Sequence, residues 1–288
     1  MSSDSVHESP ELSGPRVLVG VDGSEDGLRA VRYGARAARL GRATLHLVHA
    51  VDDAVMAGAW GVVYDPSALQ EAGEHANQAA RAAALEAGLD AQQVHDEVVL
   101  GNAAAVLARL SEGADLLVTG RRSVSGLERM FIGSTSVALA DAAQCPLVVI
   151  SAAATPGATG GQNHIAVGID AESHSLNTLG WALSEAEARG ARLTVAHVSR
   201  QEGRAGEVDE VARRAIDELL EPLRVSHPLV DVQVQVSHGN PVDELVDLSG
   251  QVDLLVLGVQ RPKLLGIHLG GVMRAVLAHA QSPVALVK

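Results

Sequence analysis

Cysteine is nearly absent. The 288-residue chain carries one, Cys145, so no internal disulfide can form, and its place before Pro146 and an apolar run marks a buried small hydrophobe rather than a catalytic thiol. Aromatic residues are equally scarce, with one Phe, two Trp and two Tyr, which removes any series of stacking platforms for single-stranded nucleic acid. Positive charge is in deficit: 22 Lys and Arg stand against 35 Asp and Glu, and the formal net charge of −13 repels nucleic acid at long range. No apolar run approaches the roughly 20 residues that span a bilayer, so neither nucleic acid nor membrane is an expected partner. Residues 1–15 mix Ser, Glu, Pro and Gly without periodicity and lack the apolar core of a signal peptide; they read as the disordered tail of a cytoplasmic protein. No G-x-x-x-x-G-K-[ST] loop occurs, and G-V-D-G-S-E-D-G after the first apolar run is not the dinucleotide G-x-G-x-x-G.

What is present is a globular composition, 47% hydrophobic, in a chain long enough for two ordinary domains. R-V-L-V-G-V-D-G-S (Arg16 to Ser24) reads as a buried strand closing on a turn, followed by a helix with Leu28, Val31, Ala35 and Ala38 at helical spacing. A-T-L-H-L-V-H-A-V (Ala43 to Val51) supplies a second strand. The next stretch, Asp52 to Pro66, is long for a strand-to-helix loop and holds Trp60 and Tyr64; it is either a lid or a loop packed on its own domain. A long Ala-rich helix to Ala87, a third strand from Val94 to Leu100, a G-N turn with a helix, a fourth strand A-D-L-L-V-T and a fifth strand C-P-L-V-V-I complete the unit. Strands alternating with helices imply right-handed crossovers and a parallel sheet covered on both faces.

Between the fourth and fifth strands lies T-G-R-R-S-V-S-G-L-E-R-M-F-I-G-S-T-S (Thr119 to Ser136). A strand that ends in a Gly-rich turn and re-enters a helix through small hydroxyl residues aims unpaired backbone N–H groups at one point, where the helix dipole adds positive potential. An anion suits that point. Arg121, Arg122 and Arg129 read there either as a positive patch for phosphates or as solvated surface arginines.

After a small-residue linker (Ala152 to Gln162) the order repeats. H-I-A-V-G-I-D matches R-V-L-V-G-V-D, A-R-L-T-V-A-H-V matches A-T-L-H-L-V-H-A, H-G-N-P-V-D-E-L matches L-G-N-A-A-A-V-L, V-D-L-L-V-L-G matches A-D-L-L-V-T-G, and S-P-V-A-L-V matches C-P-L-V-V-I. Five matches in one order make the chain two copies of one domain, residues 16–151 and 163–288.

On these residues the chain resembles the universal stress protein family in its tandem two-domain form, over nearly its whole length. The likeness rests on the strand ending G-V-D-G-S, the mid-domain G-N turn, and a nucleotide pattern of three glycines followed by Ser or Thr. It implies two tandem open five-stranded α/β domains of the adenine nucleotide alpha hydrolase-like kind, paired as a pseudo-dimer. In this family the last strands of two domains commonly pair, so Val148 to Ile150 and Ala285 to Val287 are expected to meet within the chain; a homodimer of the chain is a further expectation.

The function implied is ATP binding, with or without Mg, by a regulator of the stress response. By resemblance Asp22 meets the ribose or adenine side, flanked by Val21 and Gly23; Ala50 offers backbone to the adenine; Gly120, Arg122, Ser123, Gly133, Ser134, Thr135 and Ser136 form the phosphate loop. Two residues separate Gly120 from Ser123, where the pattern has its second Gly; if that position needs positive φ, Ser there costs ~1 kcal/mol. In the second copy Gly270 stands opposite Gly133, with Gly271, Val272 and Met273 replacing the hydroxyl residues, and Arg261 near the middle-Gly position of a shorter loop. That copy is expected to bind nucleotide poorly while keeping Asp170. For Asp22 and the Ser-Thr-Ser run, ordinary helix capping remains the structural alternative. An ATP-pyrophosphatase-like or adenylating enzyme, and a structural interaction protein without a working site, are the competing functions. No lysine is poised for a γ-phosphate and no catalytic residue or metal ligand set is legible: His46 and His49, three apart on a strand, point to opposite faces.

Overall fold

The computed structural model describes residues 14–52, 66–121, 133–150, 163–170, 176–199, 205–259 and 270–288. The tail up to residue 13, the stretch with Trp60 and Tyr64, and the linker lie outside the described residues. The first half runs β1 (Arg16–Val21), α1 (Glu25–Gly41), β2 (Thr44–Val51), α2 (Pro66–Glu86), β3 (Val94–Leu100), α3 (Ala103–Leu110), β4 (Leu116–Gly120), α4 (Ser134–Ala142) and β5 (Leu147–Ile150). The second runs β6 (His164–Gly168), α5 (Leu176–Arg189), β7 (Arg192–Ser199), α6 (Ala205–Ser226), β8 (Val232–His238), α7 (Pro241–Ser249), β9 (Leu254–Gly258), α8 (Gly271–His279) and β10 (Val284–Val287).

Burial follows sequence pattern strand by strand. The central strands β5, L-V-V-I, and β10, V-A-L-V, are apolar throughout and buried throughout, as strands covered on both faces must be. The outer strand β8 alternates Val and Gln, with half-buried valines and exposed glutamines, because one of its faces meets solvent. Helix α1 starts where Ser24 accepts a hydrogen bond from the Gly27 amide at 3.0 Å, and Glu25 and Asp26 complement the dipole in its first turn.

All ten strands form one sheet in the order β3-β2-β1-β4-β5-β10-β9-β6-β7-β8. Every neighbouring pair is parallel except the central one. There β5 and β10 run antiparallel, with Leu147 opposite Leu286, Val148 opposite Ala285 and Val149 opposite Val284, which is the intrachain pairing expected of the last strands. One apolar layer lies under α1, α2, α5 and α6 and the other under α3, α4, α7 and α8; each crosses from one half to the other without a break. A polar clasp adds to the seam. The Arg189 guanidinium donates to the Tyr33 hydroxyl at 2.7 Å and to Glu185 Oε2 at 2.6 Å, and lies 5.3 Å from the centre of the Tyr33 ring, so α1 and α5 are tied together. Burial pushes the Tyr33 pKa up, which keeps the hydroxyl protonated.

A core continuous across the seam unfolds as one unit. Calorimetry is expected to show a single transition for the whole chain, and Ala285→Asp, which places a charge at a fully buried seam position, to lower the stability of both halves together by at least about 3 kcal/mol. Two separable transitions would show that the halves fold independently.

Candidate nucleotide site

In the first half the strand order reverses between β1 and β4, which pair with Gly20 opposite Thr119. Ligands of open parallel sheets bind beyond the carboxyl ends of strands at such a reversal. Asp22 follows β1 there and Gly120 ends β4 beside it. Val21 is buried and pairs with His49, and Ala50, half-buried, pairs with Val99.

The exposed Asp22 is held by its own turn. Its Oδ1 accepts from the Ser24 amide at 3.0 Å and the Ser24 hydroxyl at 2.6 Å. Ser24, not Asp22, is therefore the N-cap of α1, and Asp22 braces the capping residue. Two glycines make the turn possible. Gly23 has φ +74°, a left-handed backbone, and a Cβ on Gly27 would stand 2.6 Å from Asp22 Oδ1.

Gly120 has a packing reason to be glycine. A Cβ there would lie 2.6 Å from the Asp26 carbonyl carbon and 2.8 Å from the Gly27 amide nitrogen, so the end of β4 rests on the backbone of the first turn of α1. The Asp26 carboxylate beneath is 4% exposed and pairs with Arg29 at 2.9 Å. Burial pushes its pKa up, against the opposing pull of Arg29 and Arg121.

Arg121 does not join a phosphate patch. It is 5% exposed, and its guanidinium donates to the carbonyls of Leu277, at 3.2 Å, and Ala278 in the last turn of α8. The reason is the strand: the Arg121 amide bonds the Ile150 carbonyl at 2.6 Å, which carries the residue along β5 toward the seam. Arg122, Ser123 and Arg129 lie outside the described residues.

Beyond the loop, Gly133 is the N-cap of α4, with φ −58° and no side-chain capping bond. No side chain of the cap thus serves the first amides of α4. Ser134 is exposed, Thr135 half-buried and Ser136 buried, so two of the three hydroxyl residues reach the surface. The second half repeats the frame with other chemistry. Asp170 is exposed after β6, Gly258 ends β9, and α8 begins with N-cap Gly270, Gly271, Val272 and Met273. Val272 and Met273 pack against the apolar layer.

The strand-end histidines repeat between the halves. His197 Nδ1 lies 3.2 Å from the Ile169 carbonyl, and His49 has the backbone of Val21, the equivalent residue, as its hydrogen-bond partner. Burial holds the His49 pKa down, with the Val21 carbonyl and Asp22 acting the other way. His46 stacks on His95 across the strands at 5.0 Å, and burial with the neighbouring His95 lowers its pKa to about 4. No group of three or more His, Cys, Asp and Glu that could hold a metal ion occurs among the described residues. Cys145 is half-buried, less covered than its sequence context implies, and burial still lifts its thiol to about 11, which keeps it protonated and unreactive. No helix of the described residues is long and apolar enough to cross a membrane.

The geometry is that of an open parallel α/β domain doubled within one chain. The model of the universal stress protein family matches residues 15–151 and again 162–288; the chain belongs to that family as a tandem of two such domains. A universal stress protein of Mycolicibacterium smegmatis is 30% identical, covering 94% of this chain and 96% of the relative, and the universal stress protein Rv2623 of Mycobacterium tuberculosis is 30% identical with the same coverage. The crystal structure of a universal stress protein from Archaeoglobus fulgidus has the same fold, with a TM-score of 0.72 at 16% identity over 95% of this chain and 98% of that one. A further universal stress protein, 26% identical and covering 47% of this chain with a TM-score of 0.34, has been solved in complex with cAMP.

The two strand-end glycines are expected to differ in tolerance. Gly120→Ala meets backbone that cannot yield and should cost about 1–3 kcal/mol. Gly258→Ala meets the Thr178 hydroxyl at 2.8 Å, a side-chain tip, and should cost less. Urea unfolding of the two variants checks the order; equal costs would contradict the reading of Gly120 as a backbone contact.

Proposed function

We propose that the first half binds an adenine nucleotide, ATP, and that the chain acts as a nucleotide-dependent regulator of the stress response rather than as an enzyme. The observation that carries this reading is the contrast between the two helix starts that follow β4 and β9. The first half sets an exposed, turn-held Asp22 against a helix N-terminus without a side-chain cap, lined by Ser134 and Thr135. The second half keeps Asp170 and the helix start but presents Gly271, Val272 and Met273.

In the proposed complex Asp22 accepts from the ribose or adenine side, Val21, Gly23 and Ala50 offer backbone and small apolar surface to the base, and Gly120 opens the loop. Gly133, Ser134 and Thr135 present amides and hydroxyls to the phosphates and Ser136, its side chain buried, its amide alone, with Arg122 and Ser123 in the loop between. The chain's net charge of −13 opposes a polyanion at long range, so local positive potential at the start of α4 has to do the attracting. Any Mg accompanies the phosphates: the described residues hold no acidic cluster for it. The turn after β1 reads V-D-G-S-E, unlike the S-G-G-x-D-S loop of ATP-pyrophosphatase-like and adenylating relatives, which supports retention or slow turnover of nucleotide over fast chemistry.

Nucleotide released on heat denaturation of the purified chain, and calorimetric titration with ATP, test the reading. Asp22→Ala and Gly133→Val are expected to lower ATP affinity at least about tenfold, the scale of a lost charge-assisted hydrogen bond, while Gly270→Val, in open space, leaves it within about twofold. Equal losses from both halves would overturn the asymmetry, and steady release of phosphate or pyrophosphate from ATP alone would favour an enzyme.

A further inference from the structure

Two cations cross the seam, and both end on the same kind of target. Arg121, the residue after Gly120 in the first half, donates to the carbonyls of Leu277 and Ala278, in the last turn of α8 in the second half. Lys288, the residue after β10 in the second half, donates through Nζ to the carbonyls of Asp141 and Ala143, at the C-terminal end of α4 in the first half. The helices α4 and α8 follow β4 and β9, so their N-termini lie toward the carboxyl ends of those strands. Each is thus capped at its far end by a cation from the opposite half.

The arrangement is reciprocal in effect although it is not symmetric in position. The residue equivalent to Arg121 is Val259, whose amide bonds the Val287 carbonyl at 2.7 Å as the Arg121 amide bonds that of Ile150. Valine has no donor for a helix end. The second half supplies its cation one strand over, from Lys288, so two different residues complete the same pattern.

We propose that Arg121 and Lys288 are positioning residues for nucleotide binding, holding the end of β4 and the helix α4 of the first half against the second. The inference rests on the nucleotide reading above. Three attachments fix the end of β4. Gly120 pairs with Ile150, its backbone rests on Asp26 and Gly27, and the Arg121 side chain is anchored in α8. At the other end of the loop, α4 is a short helix from Ser134 to Ala142, so a contact at Asp141 and Ala143 fixes the helix axis that aims its first amides. A cation at the C-terminal end also stabilises the aligned peptide dipoles that attract a phosphate at the N-terminal end. In this way the half that lacks the hydroxyl residues still contributes to the half that has them.

The test is calorimetric titration of the full chain with ATP beside Arg121→Met, Arg121→Lys and Lys288→Gln, with thermal unfolding of each. Arg121→Met and Lys288→Gln are expected to weaken ATP binding about five- to tenfold, the scale of a partly buried helix-end charge, and Arg121→Lys to recover part of the loss. Folded variants with lowered melting temperature and unchanged Kd would show a merely structural role and overturn the proposal. Should Arg121→Met not fold, Lys288→Gln decides alone, because Lys288 lies outside β10 and is only half-buried, and an unchanged Kd there overturns it equally. An unsubstituted chain that takes up no ATP would overturn the nucleotide reading itself, a result distinct from equal binding by all four chains.

Discussion

The antiparallel pairing of β5 with β10 is the constraint on which the rest depends. A five-stranded parallel sheet ends in edges of unpaired backbone groups, and an edge strand as apolar as L-V-V-I or V-A-L-V is a template for pairing with another strand. Joining β5 to β10 pairs these two edges with each other, leaves β3 and β8 as the outer strands and makes one ten-stranded sheet. The consequence is that neither apolar layer stops at the seam: Ile150 and Ile165 belong to one layer, Val149 and Val284 to the other. Tyr33 with Arg189 closes the α1–α5 face, and Arg121 and Lys288 close the α4–α8 face.

From the same topology comes the location of the site. The seam fixes β5 against its partner, β4 lies inside it, and the reversal of strand order falls between β4 and β1, where Asp22 and Gly120 meet the first turn of α1. The contact is tight because Gly120, Gly23 and Gly27 each remove a side chain that would collide or forbid the turn. The two halves repeat one strand order. What distinguishes them is local: hydroxyl residues at the start of α4, and Gly, Val and Met at the start of α8.

The architecture was readable because apolar runs such as L-V-V-I and V-A-L-V have no stable place outside a covered sheet, and because five segments recur in order. Asp22 and Gly120 were legible as strand-end residues, since a run that stops on Asp or Gly marks a carboxyl edge. Arg121 was not. Sequence shows a cation in a Gly-rich loop, but its direction is set by the backbone bond to Ile150 and by a helix end more than 150 residues away along the chain. The burial of Asp26 was hidden for a like reason, as an acid in a first helical turn ordinarily faces water and here lies under the close approach of β4. Ser136, counted with its two neighbours as a phosphate donor, turns inward because helical rotation separates adjacent residues by about 100°.

The central claim is that one chain carries two equivalent frames and one working crevice. Equilibrium dialysis of the purified, nucleotide-stripped chain against labelled ATP counts bound nucleotide directly. One ATP per chain at saturation is the predicted result; two per chain, or none, would contradict it.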